Sequence, residues 1–255
     1  MVSVTRRLAA VMACALAAAL VGAVVLASPT HAQAASKKKV WVVSSAQVDG
    51  YVTSKYKFTY SKGLLTKEKA SAGDVLNTYW KYDKKGNYKK QYCKHVTASG
   101  EKSSWKYVLK FDSKKRVKSY AEDQYADNPY KLKYNSKGRC KKYGFWKVKT
   151  NSKGWVTKLS ESGETEKFTR DSKGNFTRIK TSGYDNSITR IRNTYKSGRL
   201  ASWIDDSEST VEGKLTWKKI SVPKKYVKKA KAQQRWIVDH LQSTSDPLPL
   251  VAINK

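Results

Sequence analysis

Short runs of alternating apolar and polar residues lead up to a polar turn along this chain, and the pattern resumes after it. The approach segments read Phe58-x-Tyr60, Trp80-x-Tyr82, Leu109-x-Phe111, Leu132-x-Tyr134 and Phe168-x-Arg170. Period-two alternation puts one face of a strand toward a core and the other toward water. Between the runs stand Asp83-Lys84-Lys85-Gly86, Asp112-Ser113-Lys114-Lys115, Asn135-Ser136-Lys137-Gly138, Asn151-Ser152-Lys153-Gly154 and Asp171-Ser172-Lys173-Gly174. Looser copies occur at Tyr60-Ser61-Lys62-Gly63 and Tyr195-Lys196-Ser197-Gly198. Asp or Asn opening a type I turn caps the backbone with its side chain, and glycine at the fourth position accepts positive φ. Each copy is therefore a hairpin loop, and its recurrence makes the chain a repeat protein.

After the turn, apolar residues fall two and five positions beyond its fourth residue. They are Val117 and Tyr120, Cys140 and Tyr143, Val156 and Leu159, Phe176 and Ile179, and Leu200 and Trp203. A spacing of three breaks strict alternation and predicts a bulge or the exit of the strand from the sheet. The expected fold is mainly β, an antiparallel meander of repeated β-hairpins. It would form an open half-barrel or a curved, coiled sheet with one C-terminal amphipathic helix.

The helix is expected over about 224–242. Tyr226, Val227, Ala230, Gln234, Ile237, Val238 and Leu241 share one stripe, while Lys224, Lys225, Lys228, Lys229, Lys231 and Arg235 take the other face. Pro223 suits a helix start, and an open sheet needs a cover, so the helix reads as a lid on the sheet.

Ahead of the repeats, Arg6-Arg7, an apolar run from Leu8 to Ala27 and the small-residue site Ala32-Gln33-Ala34 read as a cleaved signal peptide; a retained anchor is the alternative. The expected organisation is a signal peptide over 1–34, a hairpin-repeat domain over 35–222, a helical segment over 223–243 and a tail over 244–255. The protein is thus expected to be secreted and associated with the cell surface.

Charge narrows the function. The chain holds 52 Lys and Arg against 20 Asp and Glu, a net +32; the first 34 residues contain two arginines and no acid, so the remainder keeps +30. So much like charge repels itself unless an anionic partner neutralises it. With 16 Tyr and 8 Trp the chain is not a disordered basic tail.

Signals for catalysis are poor. His95 and His240 lie beyond the leader, and no nucleophile–base order or metal-ligand spacing surrounds either. The pairs Asp205-Asp206 and Glu164-x-Glu166 read as charge-balancing loop residues. No enzyme, cofactor or metal is expected. In an exported protein Cys93 and Cys140 form the default disulfide, although their offsets from the turn glycines place them on opposite faces unless a bulge intervenes.

The turns carry the candidate site. Lys62, Lys85, Lys114, Lys115, Lys137, Lys153, Lys173 and Lys196 all sit in them. In a meander alternate connections share one edge, so these lysines form a row with neighbouring hairpins about 10 Å apart. That is about one Debye length in physiological salt, so their fields overlap and a linear polyanion along the row is held by counterion release. Exposed Tyr and Trp add stacking surfaces.

The runs Lys81-Tyr82-Asp83-Lys84-Lys85-Gly86-Asn87-Tyr88, Lys110 to Val117, Lys133 to Cys140 and Arg170 to Phe176 resemble the YD repeat of Rhs-like bacterial exported proteins. Ser104-Trp105-Lys106-Tyr107 and Asn77-Thr78-Tyr79-Trp80 are similar, more weakly, to aromatic cell-wall-binding repeats. The first resemblance spans about 60–220 and implies a hairpin-built exported protein, without toxin delivery. Partners expected outside a bacterial membrane are teichoic acid, an anionic glycan or extracellular DNA, and other surface proteins. Two alternatives stand beside this reading: an adhesin-type scaffold acting through protein contacts, and a hydrolase with an unrecognised carboxylate pair.

Overall fold

A computed structural model describes residues 36–184, 186–206 and 210–243. The expected signal peptide (1–34) and tail (244–255) lie outside the described residues. The first half of the barrel wall comprises β1 (Lys37–Asp49), β2 (Ser54–Ser61), β3 (Leu64–Ala72), β4 (Asp74–Tyr82), β5 (Tyr88–Val96), β6 (Lys102–Phe111), β7 (Val117–Glu122) and β8 (Tyr130–Tyr134). The second half comprises β9 (Cys140–Tyr143), β10 (Trp146–Thr150), β11 (Val156–Glu161), β12 (Glu164–Arg170), β13 (Phe176–Ser182), β14 (Ser187–Lys196), β15 (Arg199–Asp205) and β16 (Glu212–Pro223). A single 3-10 turn, Lys224–Tyr226, leads into α1 (Val227–Gln242).

Every strand pairs with its sequence neighbours, and β16 returns to pair with β1 from Lys37↔Pro223 to Asp49↔Glu212. The meander is therefore a closed barrel, which corrects the expected open half-barrel. Closure depends on the two longest strands, neither of which adjoins a lysine turn. It removes the unpaired edge that an open sheet would expose.

The expected bulges are present. Register slips beside all seven turns: at Thr59/Tyr60, Lys81/Tyr82, Lys110/Phe111, Lys133/Tyr134, Lys149/Thr150, Thr169/Arg170 and Thr194/Tyr195. Aromatic residues before the turns then lock each hairpin to the one before. The hydroxyls of Tyr60, Tyr82 and Tyr134 donate to the carbonyls of Val43, Leu65 and Val117 at 2.6–2.7 Å, each 17 residues back. This is why an aromatic with a polar tip recurs there.

The wall is apolar inside and cationic outside. Exposed Lys131 and Lys133 flank buried Leu132, and exposed Lys147 and Lys149 flank buried Val148. A lipid-facing wall needs the reverse, an apolar outer band, and β8 and β10 present none.

A sixteen-stranded wall is wide enough to leave a channel. Here α1 fills it. Every residue from Gln233 to Gln242 is buried or half-buried. Trp236, Ile237, Val238 and Leu241 share a core with Val43, Phe58, Trp80, Phe168 and Trp203, and Trp236 meets Trp80 edge-on at 6.3 Å. The helix is a plug rather than the expected lid, and half-buried Arg235 leaves the solvent face assigned to it.

Three glutamine contacts show how the plug is held. Bulges leave inward N–H groups without a ladder partner. Gln234 Oε1 accepts from Val43 N–H and Gln233 Oε1 from Leu65 N–H, both at 2.8 Å, and Gln242 Oε1 accepts from Phe176 N–H at 3.1 Å.

Cys93 and Cys140 are free and buried, so the expected disulfide does not form. The bulge near Tyr82 turns Cys93 inward, as anticipated, but β6, β7 and β8 separate its strand from that of Cys140. Burial pushes the Cys140 thiol up to about 12.

Candidate polyanion-binding rim

All seven turns connect an even-numbered strand to the next odd one, so antiparallel order places them on a single rim. The row of fingertips expected from the sequence is thus a ring, curved by barrel closure. A stiff polymer meets an arc of adjacent turns rather than the whole set.

Local chemistry builds each fingertip as the sequence implied. Asp83 Oδ1 accepts the N–H groups of Lys85 and Asn87 at 2.8 Å, and Gly86 N–H closes on the Asp83 carbonyl at 2.9 Å. Asp112, Asn151 and Asp171 repeat the pattern. Gly86, Gly138, Gly154 and Gly174 all have positive φ, and where the glycine is missing Lys115 takes φ 60° itself. The two looser copies differ: Lys62-Gly63 and Ser197-Gly198 each place both loop residues at positive φ, making two-residue primed turns. Burial alone would raise the Asp83 and Asp112 carboxyls, but hydrogen bonds from Asn87 and Lys85, and from Arg116 and Lys114, hold both below the usual range.

Lys62, Lys85, Lys114, Lys115, Lys137, Lys153, Lys173 and Lys196 are all exposed. They are not equally placed. Lys114, Lys115 and Lys137, from two adjacent turns, line one depression of about 340 Å³ with Arg116, Asn87 and Ser136. Lys153 lies over the Trp155 ring at 4.7 Å and Lys173 over the Tyr195 ring at 3.7 Å. Lys62 lines a second cleft, of about 560 Å³, with Lys67, Lys81, Lys84, Tyr79 and Tyr92. In that cleft Tyr79 and Tyr92 stack at 4.6 Å, and Lys67, Lys81 and Lys90 lie over their rings at 5.1–6.0 Å.

The rim is also stiff. Arg116 pairs with Asp112 at 2.6 Å and stacks on Tyr134 of the next turn at 4.4 Å. Arg139 donates to the Asn151 carbonyl at 2.7 Å and to that of Ser152. From the plug, Tyr226 hydroxyl donates to the Lys84 carbonyl at 2.6 Å and Lys229 Nζ to the Gly86 carbonyl at 2.9 Å. Arg116, Arg139, Lys67 and Lys81 were not singled out from the sequence. A basic residue directly after the turn was the available signal for the two arginines; for Lys67 and Lys81 there was none without the strand register.

The opposite rim differs in charge. Its connections hold Gly50 to Thr53, Gly73, Thr97 to Glu101, Asp123 to Pro129 and Gly144-Phe145. Acids gather there, and several work locally. Asp74 pairs with His95 at 2.9 Å and accepts Ala98 N–H at 2.8 Å. Asp205 accepts Val211 N–H at 2.9 Å, and Asp206 accepts Arg190 N–H at 2.6 Å. The carboxylate pair considered for hydrolysis thus closes a loop. Among the described residues no cluster of three or more His, Cys, Asp or Glu is arranged to hold a metal ion.

No protein-family description matches this chain, and no curated protein matches it. Among solved structures, it has a partial likeness to a porin-like protein from Bacteroides uniformis, at 9% identity and a TM-score of 0.34. The likeness covers 69% of this chain and 98% of the other.

Proposed function

We propose that this protein is an exported, non-enzymatic binding protein that grips an anionic polymer at the turn rim of its barrel. The observation that carries the reading is the shared depression of Lys114, Lys115, Arg116 and Lys137, four cations from adjacent turns around one cavity of about 340 Å³. Tied turns hold them in place before any ligand arrives, which lowers the ordering cost of binding. The excess of +30 that remains beyond the leader supplies the long-range attraction, and each polymer charge neutralised releases a counterion.

Outside a bacterial membrane, teichoic acid and anionic glycans are the abundant polymers of this kind, and extracellular DNA shares their charge. The N-terminal leader pattern and the resemblance to YD repeats support an envelope-associated setting. Titration of the protein with teichoic acid, heparin and double-stranded DNA across a salt series tests the proposal. The expected result is affinity that falls linearly in log–log form with salt. Salt-insensitive capture of a surface protein, with no polyanion binding, favours the scaffold reading instead.

A further inference from the structure

At the rim opposite the lysine turns, the barrel wall opens into a cleft of about 760 Å³, within the range of ligand sites. Tyr107, Tyr120, Tyr130 and Tyr143 line it as a nearly parallel bank of rings. Tyr107 faces Tyr120 at 5.5 Å, Tyr120 faces Tyr130 at 5.7 Å and Tyr130 faces Tyr143 at 5.3 Å, with planes 20–29° apart. The register explains the bank: Tyr120 lies directly across from Tyr130, and Leu132 across from Tyr143, so successive rings fall on the same face. Gly144, at φ 56°, lets the β9–β10 turn close over Tyr130, where a Cβ would sit 2.7 Å from the ring.

One polar group in the cleft, the Glu122 carboxylate, is held in place. Glu122 Oε1 accepts from the Tyr107 hydroxyl at 3.2 Å, and Glu122 Oε2 accepts from Gln124 Nε2 at 3.0 Å. Asn128, Lys131 and Lys142 complete the polar lining. At the mouth, Tyr125 is 62% and Phe145 72% exposed, and both line the cleft.

Flat aromatic walls beside an oriented carboxylate, an amide and ammonium groups suit one ligand chemistry in particular. The geometry points to a glycan-binding site in which sugar rings lie against the tyrosine bank and their hydroxyls bond to Glu122, Asn128 and Lys142. A lipid tail would cover Asn128 and the ammonium groups without bonding them, and a purely aromatic solute would use none of the acceptor positions that Glu122 keeps beyond Tyr107 and Gln124. A sugar satisfies both surfaces. The site is independent of the lysine rim and does not rest on the polyanion reading.

Calorimetric titration with chitotetraose, a neutral probe, and with tetragalacturonate, an acidic one, tests it at physiological salt. The expected result is saturable binding of at least one probe, weakened roughly tenfold or more by Tyr130→Ala and by Phe145→Ala, the loss expected of a removed stacking ring. The preferred probe identifies a neutral or an acidic glycan. Both residues are exposed enough for the fold to survive, which circular dichroism checks, and Glu122→Gln gives a third variant without loss of volume. Charge-swapped turn lysines should leave this binding unchanged. Absence of saturable binding to either probe overturns the proposal. So does binding indifferent to Tyr130→Ala and Phe145→Ala, or binding lost on swapping the turn lysines.

Discussion

Arg170, the last residue of β12, and Asp239, in the final turns of α1, form a two-pronged ion pair deep under the lysine rim. Its N–O distances are 2.8 and 3.0 Å, and the side chains are 5% and 11% exposed. Arg235 joins the same carboxylate at 3.1 Å, and Arg170 also reaches the Gly174 carbonyl at 2.7 Å. A sequence position that holds Tyr82, Phe111 and Tyr134 ahead of other turns is thus used to bolt the plug to the wall.

Removing the shared acid should be costly. Asp239→Ala takes the counter-charge from the deeply covered Arg170 and the half-buried Arg235, for which about 3–5 kcal/mol is the expected loss. Urea unfolding measures it. Replacing Arg170 and Asp239 together by apolar residues should recover part of that loss, because the penalty lies in the orphaned charge more than in the missing pair.

Plug glutamines make a local prediction. Gln233→Leu strips the Leu65 N–H of its acceptor, at a cost of about 1–3 kcal/mol. Hydrogen exchange should show the Leu65 amide less protected, with amides on β7 to β10 unaffected. Equal loss across the whole barrel would contradict the assignment.

Two turn glycines should respond differently to the same change. A Cβ at Gly86 would lie 2.8 Å from Tyr226 Cε1, whereas at Gly198 nothing lies within 4 Å; both have positive φ. Gly198→Ala should therefore cost about 1 kcal/mol, the backbone term alone, and Gly86→Ala clearly more because the helix entry must shift. Thermal unfolding of the two variants decides this.

High pH should unfold the barrel. Burial raises Tyr60, Tyr82, Tyr88 and Tyr134 above the ordinary tyrosine value of 10.0, and raises Cys140 from 9.0 to about 12. The folded state then keeps protons that the unfolded chain gives up. That stabilisation is complete below about pH 9, begins to fall as the unfolded thiol titrates, and falls more steeply above pH 10 as the tyrosines join it. Tyrosinate absorbance should lag behind free tyrosine and then rise with loss of structure. Cys93 and Cys140 should react with a thiol reagent at pH 8 only after unfolding.

The hairpin unit was legible because its chemistry is local. Asp83, Asn151 and Asp171 cap their own turns, and bulges follow from the apolar spacing after each turn. Closure was not legible, since β1 and β16 meet across nearly the whole chain and Val43↔Trp217 leaves no mark on neighbouring residues. For the same reason Arg235 read as solvent-facing: its partners Asn175 and Asp239 include one from a distant turn. In the site, the exposure of the turn lysines followed from the turns. Which of them converge did not, because Lys115 and Lys137 meet only through strand register. The tyrosine bank was hidden likewise, each ring being an ordinary inward residue until the strands align.

The most direct test of the central claim compares salt dependence between two triple variants. Lys114→Glu, Lys115→Glu and Lys137→Glu reverse the convergent rim cations, while a control reverses Lys147, Lys149 and Lys167 on the outer wall. Affinity for teichoic acid is measured against salt for each. A rim that grips the polymer predicts that the first variant loses binding and flattens the log–log slope by roughly three, while the control keeps most of both. Equal losses in the two variants would mean that overall charge attracts the polymer and that the rim is not its site.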